Sequence, residues 1–172
     1  AKKSGLCHVI GQVQAPGALL VAEGYATAAS LHQATGLPVA VAFDAGNLAP
    51  VAKALHRQYP GALLVLCADN DAATEARTGT NPGLQKAMDA AGAVAGVVAC
   101  PPRQEGQNVD FNDLHQAQGV EAVGTTVQGA LAQHASQAQA SEQPPPAATK
   151  GPRPRKKRQP LPDDGAATFD PF

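Results

Sequence analysis

Along the chain, short unbroken apolar runs alternate with stretches whose apolar residues recur at helical spacing. Ala18-Leu-Leu-Val-Ala22 is the first run and ends at Glu23-Gly24. Tyr25 to Thr35 predicts a helix, closed by Gly36 and Pro38. Val39-Ala-Val-Ala-Phe43 is the second run and ends at Asp44-Ala-Gly-Asn47. Leu48 to Tyr59 predicts a second helix, with Leu48, Val51, Ala52, Leu55 and Tyr59 on one face. Ala62 to Ala68 is the third run and ends at Asp69-Asn-Asp71. Asn81-Pro82 reads as an N-cap with proline at the first helical position. That helix runs through Leu84, Ala87, Met88 and Ala91 and stops at Gly92. Ala93 to Ala99 is a fourth run, broken at Gly96 and followed by Pro101-Pro102. Beyond a polar loop, one helix is predicted from near Asn112 or Asp113, and a last one over about Val120 to His134.

Strands that are apolar throughout belong in a sheet covered on both faces, which points to parallel pairing with helices on either side. The expected fold is therefore a Rossmann-like α/β unit with about four parallel strands flanked by helices. Residues 1–17 read as a lead-in strand or connection from an upstream domain, and 18–135 as the folded unit. Residues 136–172 read as a disordered tail: eight of the fifteen prolines lie there, and apolar periodicity is lost. The first residue is Ala1, and the expectation is a piece of a longer protein.

Charge divides the same way. The formal net charge is −1 over 172 residues. The tail carries six basic and four acidic side chains; residues 1–135 carry seven basic and ten acidic ones. The tail's cations are Lys150, Arg153, Arg155, Lys156, Lys157 and Arg158. They are the candidate electrostatic contact with nucleic acid, the alternative being a solvated linker. The net charge excludes a uniformly basic DNA-coating protein. Aromatics at 3% leave almost no stacking platforms, which argues against a chain that grips single strands by base stacking. No apolar run of about 18 residues predicts a membrane span, and no signal peptide opens the chain. Cys7, Cys67 and Cys100 are too scattered for a metal motif. They read as small buried residues of a reducing, cytoplasmic protein.

The acids fall where such a fold keeps its ligands, beyond the carboxyl ends of the strands. Glu23 closes the first run, Asp69 and Asp71 the third, and Asp110 follows the fourth. Carboxylates gathered on one edge repel one another unless a cation lies among them. An oxygen-only set suits Mg²⁺ or Mn²⁺, shared with substrate phosphates. Residues i and i+2 at a strand end face the same side, so Asp69 and Asp71 can meet one ion. Glu23, on another strand, can act as general acid or base or join the ligands. Taken one at a time, each acid is better explained as a helix cap or a solvated loop residue; the combination is what points to a site. Asp44 and Asn47 are better explained by a strand-to-helix turn, with Asn47 capping the next helix, than by nucleotide contact. Arg77 and Lys86 read as solvated cations, and His8 as structural.

In combination, these segments resemble a Toprim domain, and most closely those of plasmid conjugative and phage-type primases. The residues that carry the resemblance are Ser4-Gly5 with His8-Val-Ile-Gly11, Val21-Ala-Glu23-Gly24-Tyr25-Ala26-Thr27-Ala28, Phe43-Asp-Ala-Gly-Asn-Leu48, Ala68-Asp-Asn-Asp71, Asn81-Pro-Gly83 and Asp110-Phe-Asn-Asp-Leu114. The resemblance implies a catalytic role for Glu23 and metal binding by Asp69, Asp71 and Asp110. It implies metal-dependent nucleotidyl transfer, with RNA primers made from nucleoside triphosphates on single-stranded DNA, alongside further domains of a bacterial replication or transfer protein. Two departures bear on a second metal. Thr27 stands where replicative primases often carry an aspartate, and Asn112 interrupts the later acidic motif. Two alternatives share the framework: a non-catalytic DNA- or partner-binding module of a mobilisation protein, and a Toprim-type nuclease. Strand passage is disfavoured, because it needs a tyrosine nucleophile and Tyr25 belongs to the Glu-Gly motif.

Overall fold

The computed structural model describes residues 4–142. The strands are β1 (His8–Ile10), β2 (Gly17–Ala22), β3 (Val39–Val41), β4 (Ala62–Cys67) and β5 (Val97–Ala99). The helices are α1 (Tyr25–Thr35), α2 (Leu48–Gln58), α3 (Ala72–Thr78), α4 (Pro82–Gly92), α5 (Phe111–Gln118) and α6 (Val120–Glu142). The sheet order is β1-β3-β2-β4-β5. β3, β2, β4 and β5 run parallel, as the apolar runs predict. The lead-in segment adds a fifth strand, since β1 pairs antiparallel with β3, His8 opposite Val41.

Beyond the exposed Gly17, the parallel strands are apolar throughout because both faces are covered, whereas β1, at the sheet edge, begins with the exposed His8. Leu19, Val21, Ala40, Leu64 and Leu66 pack under α2 and α4, against Val51, Leu55, Ala87 and Ala91. The alternate residues Leu20, Ala22, Val39, Val41, Val65 and Cys67 pack against Ala28, Leu31, Phe111, Leu114, Val123 and Val127 of α1, α5 and α6. The caps are those that the sequence signals: Gly36 adopts a left-handed conformation after α1, and the Asn81 side chain accepts from the Leu84 N–H at the start of α4.

Three features depart from the sequence pattern. α3 lies in a segment without apolar periodicity, of which only Ala72 is buried. α6 continues to Glu142, past the boundary expected at 135. Asn47 makes no side-chain cap to α2. Its buried amide instead accepts from the Gly5 N–H at 2.8 Å and donates to the Leu6 and Ala42 carbonyls at 3.0 and 2.8 Å. It thus ties the lead-in segment to the end of β3, while Asp44 caps the turn at Ala45–Asn47 through the Gly46 N–H. The basic segment, with Lys150, Arg153, Arg155, Lys156, Lys157 and Arg158, lies outside the described residues. Among the described residues, no helix is long and apolar enough to cross a membrane.

This order places a topological switch at the centre. The chain passes from β2 over one face to β3, then back over the other face to β4 on the opposite side of β2. The loops that leave β2 and β4 part there, and the crevice beyond the two strand ends is where such sheets bind ligands.

Candidate active site

β2 and β4 end in register, with Ala22 opposite Cys67. Glu23 and Asp69 therefore leave adjacent strands at the same edge. In Asp69-Asn70-Asp71 the middle side chain turns inward. Asn70 is buried, donates to the Pro101 carbonyl at 3.0 Å, and bridges through its backbone to Val109. That anchorage fixes the loop and leaves the two flanking aspartates to the crevice.

Asp71 is held from the start of α4. Its Oδ2 accepts from the Gly83 N–H at 2.8 Å. Asn81 accepts from the Asp71 N–H at 3.1 Å and donates to Asn70 Oδ1 at 3.0 Å. Gly83 is required by space: a Cβ there would lie 2.7 Å from the Asp69 carbonyl oxygen and 2.9 Å from Asp71 Oδ2. Asn81 is the helix cap that its sequence signals, and it also fastens the aspartate loop, while Gly83 lets the helix approach.

Asp110 caps α5 in a reciprocal capping box with Asp113. Its Oδ1 accepts from the Asp113 N–H at 2.7 Å, and its Oδ2 from the Thr27 hydroxyl at 2.6 Å. Beside this bond, Ser30 of α1 donates to Asn112 at 3.2 Å and meets His115 Nδ1 at 3.0 Å. A polar seam thus joins α1, which follows Glu23, to α5, which follows Asp110. Thr27 and Asn112, the two departures from the primase pattern, are both part of it. The sequence signal for Thr27 is its place one turn inside α1, on the face that also carries Ser30.

Asp69 is the least engaged of the four. Among the described residues its carboxylate receives no hydrogen bond. Burial pushes its pKa up to about 7, and Asp110, Glu23, Asp71 and Asp113 push the same way. Glu23 is also raised, first by burial; the Ala45 N–H opposes the shift, Asp44 and Asp71 add to it, and Lys86 lowers it. Lys86 is exposed, yet it is close enough to act on Glu23. Arg77 is exposed as well. Nearby, Cys100 is raised to about 11 by burial, helped by Asp69 and Asp71, and stays a thiol. Cys67 is buried, Cys7 and Cys100 only half-buried, and all three are free.

These acids share an electrostatic neighbourhood without forming a closed cage. Among the described residues, no three His, Cys, Asp or Glu side chains stand close enough together to hold a metal ion. The donor set nevertheless fits a hard cation. Mg²⁺ keeps several waters and takes one or two carboxylates plus substrate phosphates. A half-buried Asp69, crowded by like charge and free of donors, has the chemistry that such a cation would need. Asp71 keeps one oxygen outside its Gly83 bond, whereas Asp110 has both of its oxygens accepting from the protein.

The Toprim domain model matches residues 18–121, from β2 to the start of α6. The chain belongs to the Toprim family. The match includes Glu23, Asp69, Asp71 and Asp110 and leaves β1 and most of α6 outside it. Two curated relatives are both described as DNA primase TraC of Escherichia coli. One is 41% identical over 117 residues, covering 66% of this chain and 11% of the relative. The other is 40% identical over 117 residues, covering 66% of this chain and 8% of the relative. This Toprim chain therefore spans about a tenth of each relative's length. No solved structure matches it significantly.

Proposed function

We propose that this chain is the Toprim module of a larger DNA primase, carrying metal-dependent nucleotidyl transfer in plasmid replication or conjugative transfer. The observation that carries the reading is Asp69: a half-buried, donor-free carboxylate at the switch point, crowded by Glu23, Asp71 and Asp110. Asp69 and Asp71 would hold Mg²⁺ or Mn²⁺, with Glu23 beside them. A bound cation supplies charge neutralisation for the phosphates of a nucleoside triphosphate.

The reaction is in-line attack of a primer 3′ hydroxyl on the α-phosphorus, with pyrophosphate leaving and the hydroxyl proton passing to a base. Glu23, raised by burial, accepts that proton at a pH nearer neutrality than an ordinary glutamate. Asn70, Asn81 and Gly83 keep the aspartates in place, so positioning is settled before substrate arrives. Lys86 offers a cation to the same phosphates. The resemblance to TraC primases supports a single-stranded DNA template and further domains to grip it. The segment Lys150 to Arg158 supplies the phosphate contact within this chain.

One observation favours a second reading. Asp110 is spent on Thr27 and Asp113, which suits a module that binds DNA or a partner without turnover. Primer synthesis separates the two. The natural polypeptide that carries this domain should incorporate ribonucleotides on a single-stranded template only with Mg²⁺ or Mn²⁺. The Asp69→Ala/Asp71→Ala variant should lose at least a hundredfold in rate. Synthesis that survives this double substitution, or none by the wild type, contradicts the primase reading.

A further inference from the structure

The six aromatic residues of the chain are unevenly placed. Of the described ones, Phe111 is wholly buried and Tyr59 half-buried, but Tyr25 is 56% and Phe43 61% exposed. Both exposed residues border Glu23 along the backbone. Tyr25 opens α1 two residues after it, and the Phe43 N–H donates to the Glu23 carbonyl at 2.8 Å. His8, also exposed, pairs with Val41 at the same end of β3, and its ring lies 6.1 Å from that of Tyr25.

The backbone at Phe43 makes the placement more telling. Its φ is +62°, in the left-handed region that disfavours bulky side chains. A ring that is mostly in water contributes little packing to offset that. Glycine would serve the fold better at this position. Residues held in sparsely populated backbone regions cluster at ligand sites. Here the strained residue presents a flat apolar face to solvent beside the carboxylate edge.

We propose that Phe43 and Tyr25, with His8 against Tyr25, form a platform on which one nucleobase stacks while its phosphates face Asp69 and Asp71. The inference rests on the reading of that edge as a phosphate-handling site, and adds to it the recognition of the base. Stacking uses the π face that all bases share, so the platform accepts any base, from a free nucleotide or from a single strand. Low aromatic content excludes a long stacking groove, and a single platform needs only these rings.

The test uses the whole chain with Mg²⁺ and two pairs of probes. ATP is compared with inorganic tripolyphosphate, and a short oligothymidylate with its abasic equivalent. With two Tyr, four Phe and no Trp, the ring signals are few enough to follow by proton NMR. The base-bearing member of at least one pair should bind about tenfold tighter. It should also move the Tyr25 and Phe43 ring signals upfield. The pair that shows the ratio identifies the source, nucleotide or strand. Phe43→Gly should keep or raise the melting temperature, because it relieves the left-handed backbone, and should abolish the ratio. Equal binding within both pairs, or a ratio that survives Phe43→Gly, overturns the platform. Mg²⁺ shifts at Asp69 are read in the same samples. If they occur without base discrimination, the platform falls and the metal reading stands. If base discrimination occurs without them, the metal reading and the placement of the phosphates at Asp69 and Asp71 fall, and only the stacking of the base on Phe43 and Tyr25 stands.

Discussion

Replacing Asp69 by Asn should stabilise the metal-free protein at pH 8 and abolish its stabilisation by Mg²⁺. The folded-state pKa of Asp69 is about 7, against an ordinary value of 3.8. A group raised on folding contributes stability that is fully present below pH 3.8 and lost as pH rises through about 7. At pH 8 the carboxylate is charged in both states, and the native state bears the full cost of burial and like-charge crowding. Three units at about 1.4 kcal/mol each set a ceiling of about 4 kcal/mol. Asp69 is only partly buried, and solvent screening reduces this to about 1–2 kcal/mol. For a unit of this size that is a gain of about 3–8 °C in melting temperature. The assay is thermal unfolding of wild type and Asp69→Asn in chelator, from pH 4 to pH 8. The variant's advantage should be small at pH 4 and grow towards pH 8. Adding Mg²⁺ should stabilise the wild type by mass action and leave the variant unmoved. A variant no more stable than wild type at pH 8 in chelator refutes the reasoning.

Gly83→Ala forces a Cβ against the Asp69 carbonyl and Asp71 Oδ2, so it should cost about 1–3 kcal/mol in denaturant unfolding and weaken Mg²⁺ binding. Asn47→Ala removes three hydrogen bonds to Gly5, Leu6 and Ala42; a loss of about 2–3 kcal/mol is expected, with amide exchange accelerated first in β1. Deleting residues 143–172 should lower the affinity for single-stranded DNA. It should also flatten the salt dependence of log K by about 0.7 for each phosphate no longer neutralised.

The alternation of apolar runs and helical spacing was enough to place β2, β3 and β4 and to bound α1, α2 and α4 within a residue or two. Burial of both sheet faces leaves that unmistakable signature. α3 left none, because only Ala72 of its seven residues is buried and the rest meet solvent or the loop around Asn108. The pairing of β1 with β3 was equally hidden: three residues long, it joins positions about 30 apart. The acids at the strand ends were legible one by one, as was their common edge. Their differences were not. That Asp71 and Asp110 are tied while Asp69 is free depends on Gly83 and Thr27, which sit 12 and 83 residues from their partners. Asn47 shows the same limit: its spacing suits a helix cap, but partners more than 40 residues away take its side chain. The low aromatic count was correct as arithmetic, yet it concealed that two of the few aromatic residues are exposed and neighbour Glu23 along the backbone.

The central claim is that the edge beyond β2 and β4 holds a divalent cation through Asp69. Titration of the isotopically labelled chain with Mg²⁺, and then with paramagnetic Mn²⁺, tests it residue by residue in NMR spectra. The account predicts Mg²⁺ shifts centred on Asp69 and Asp71 and extending to Glu23 and Gly83. Mn²⁺ should broaden the same signals, and Asp69→Asn should abolish both effects. Broadening centred elsewhere, or an unchanged spectrum at millimolar Mg²⁺, would contradict it.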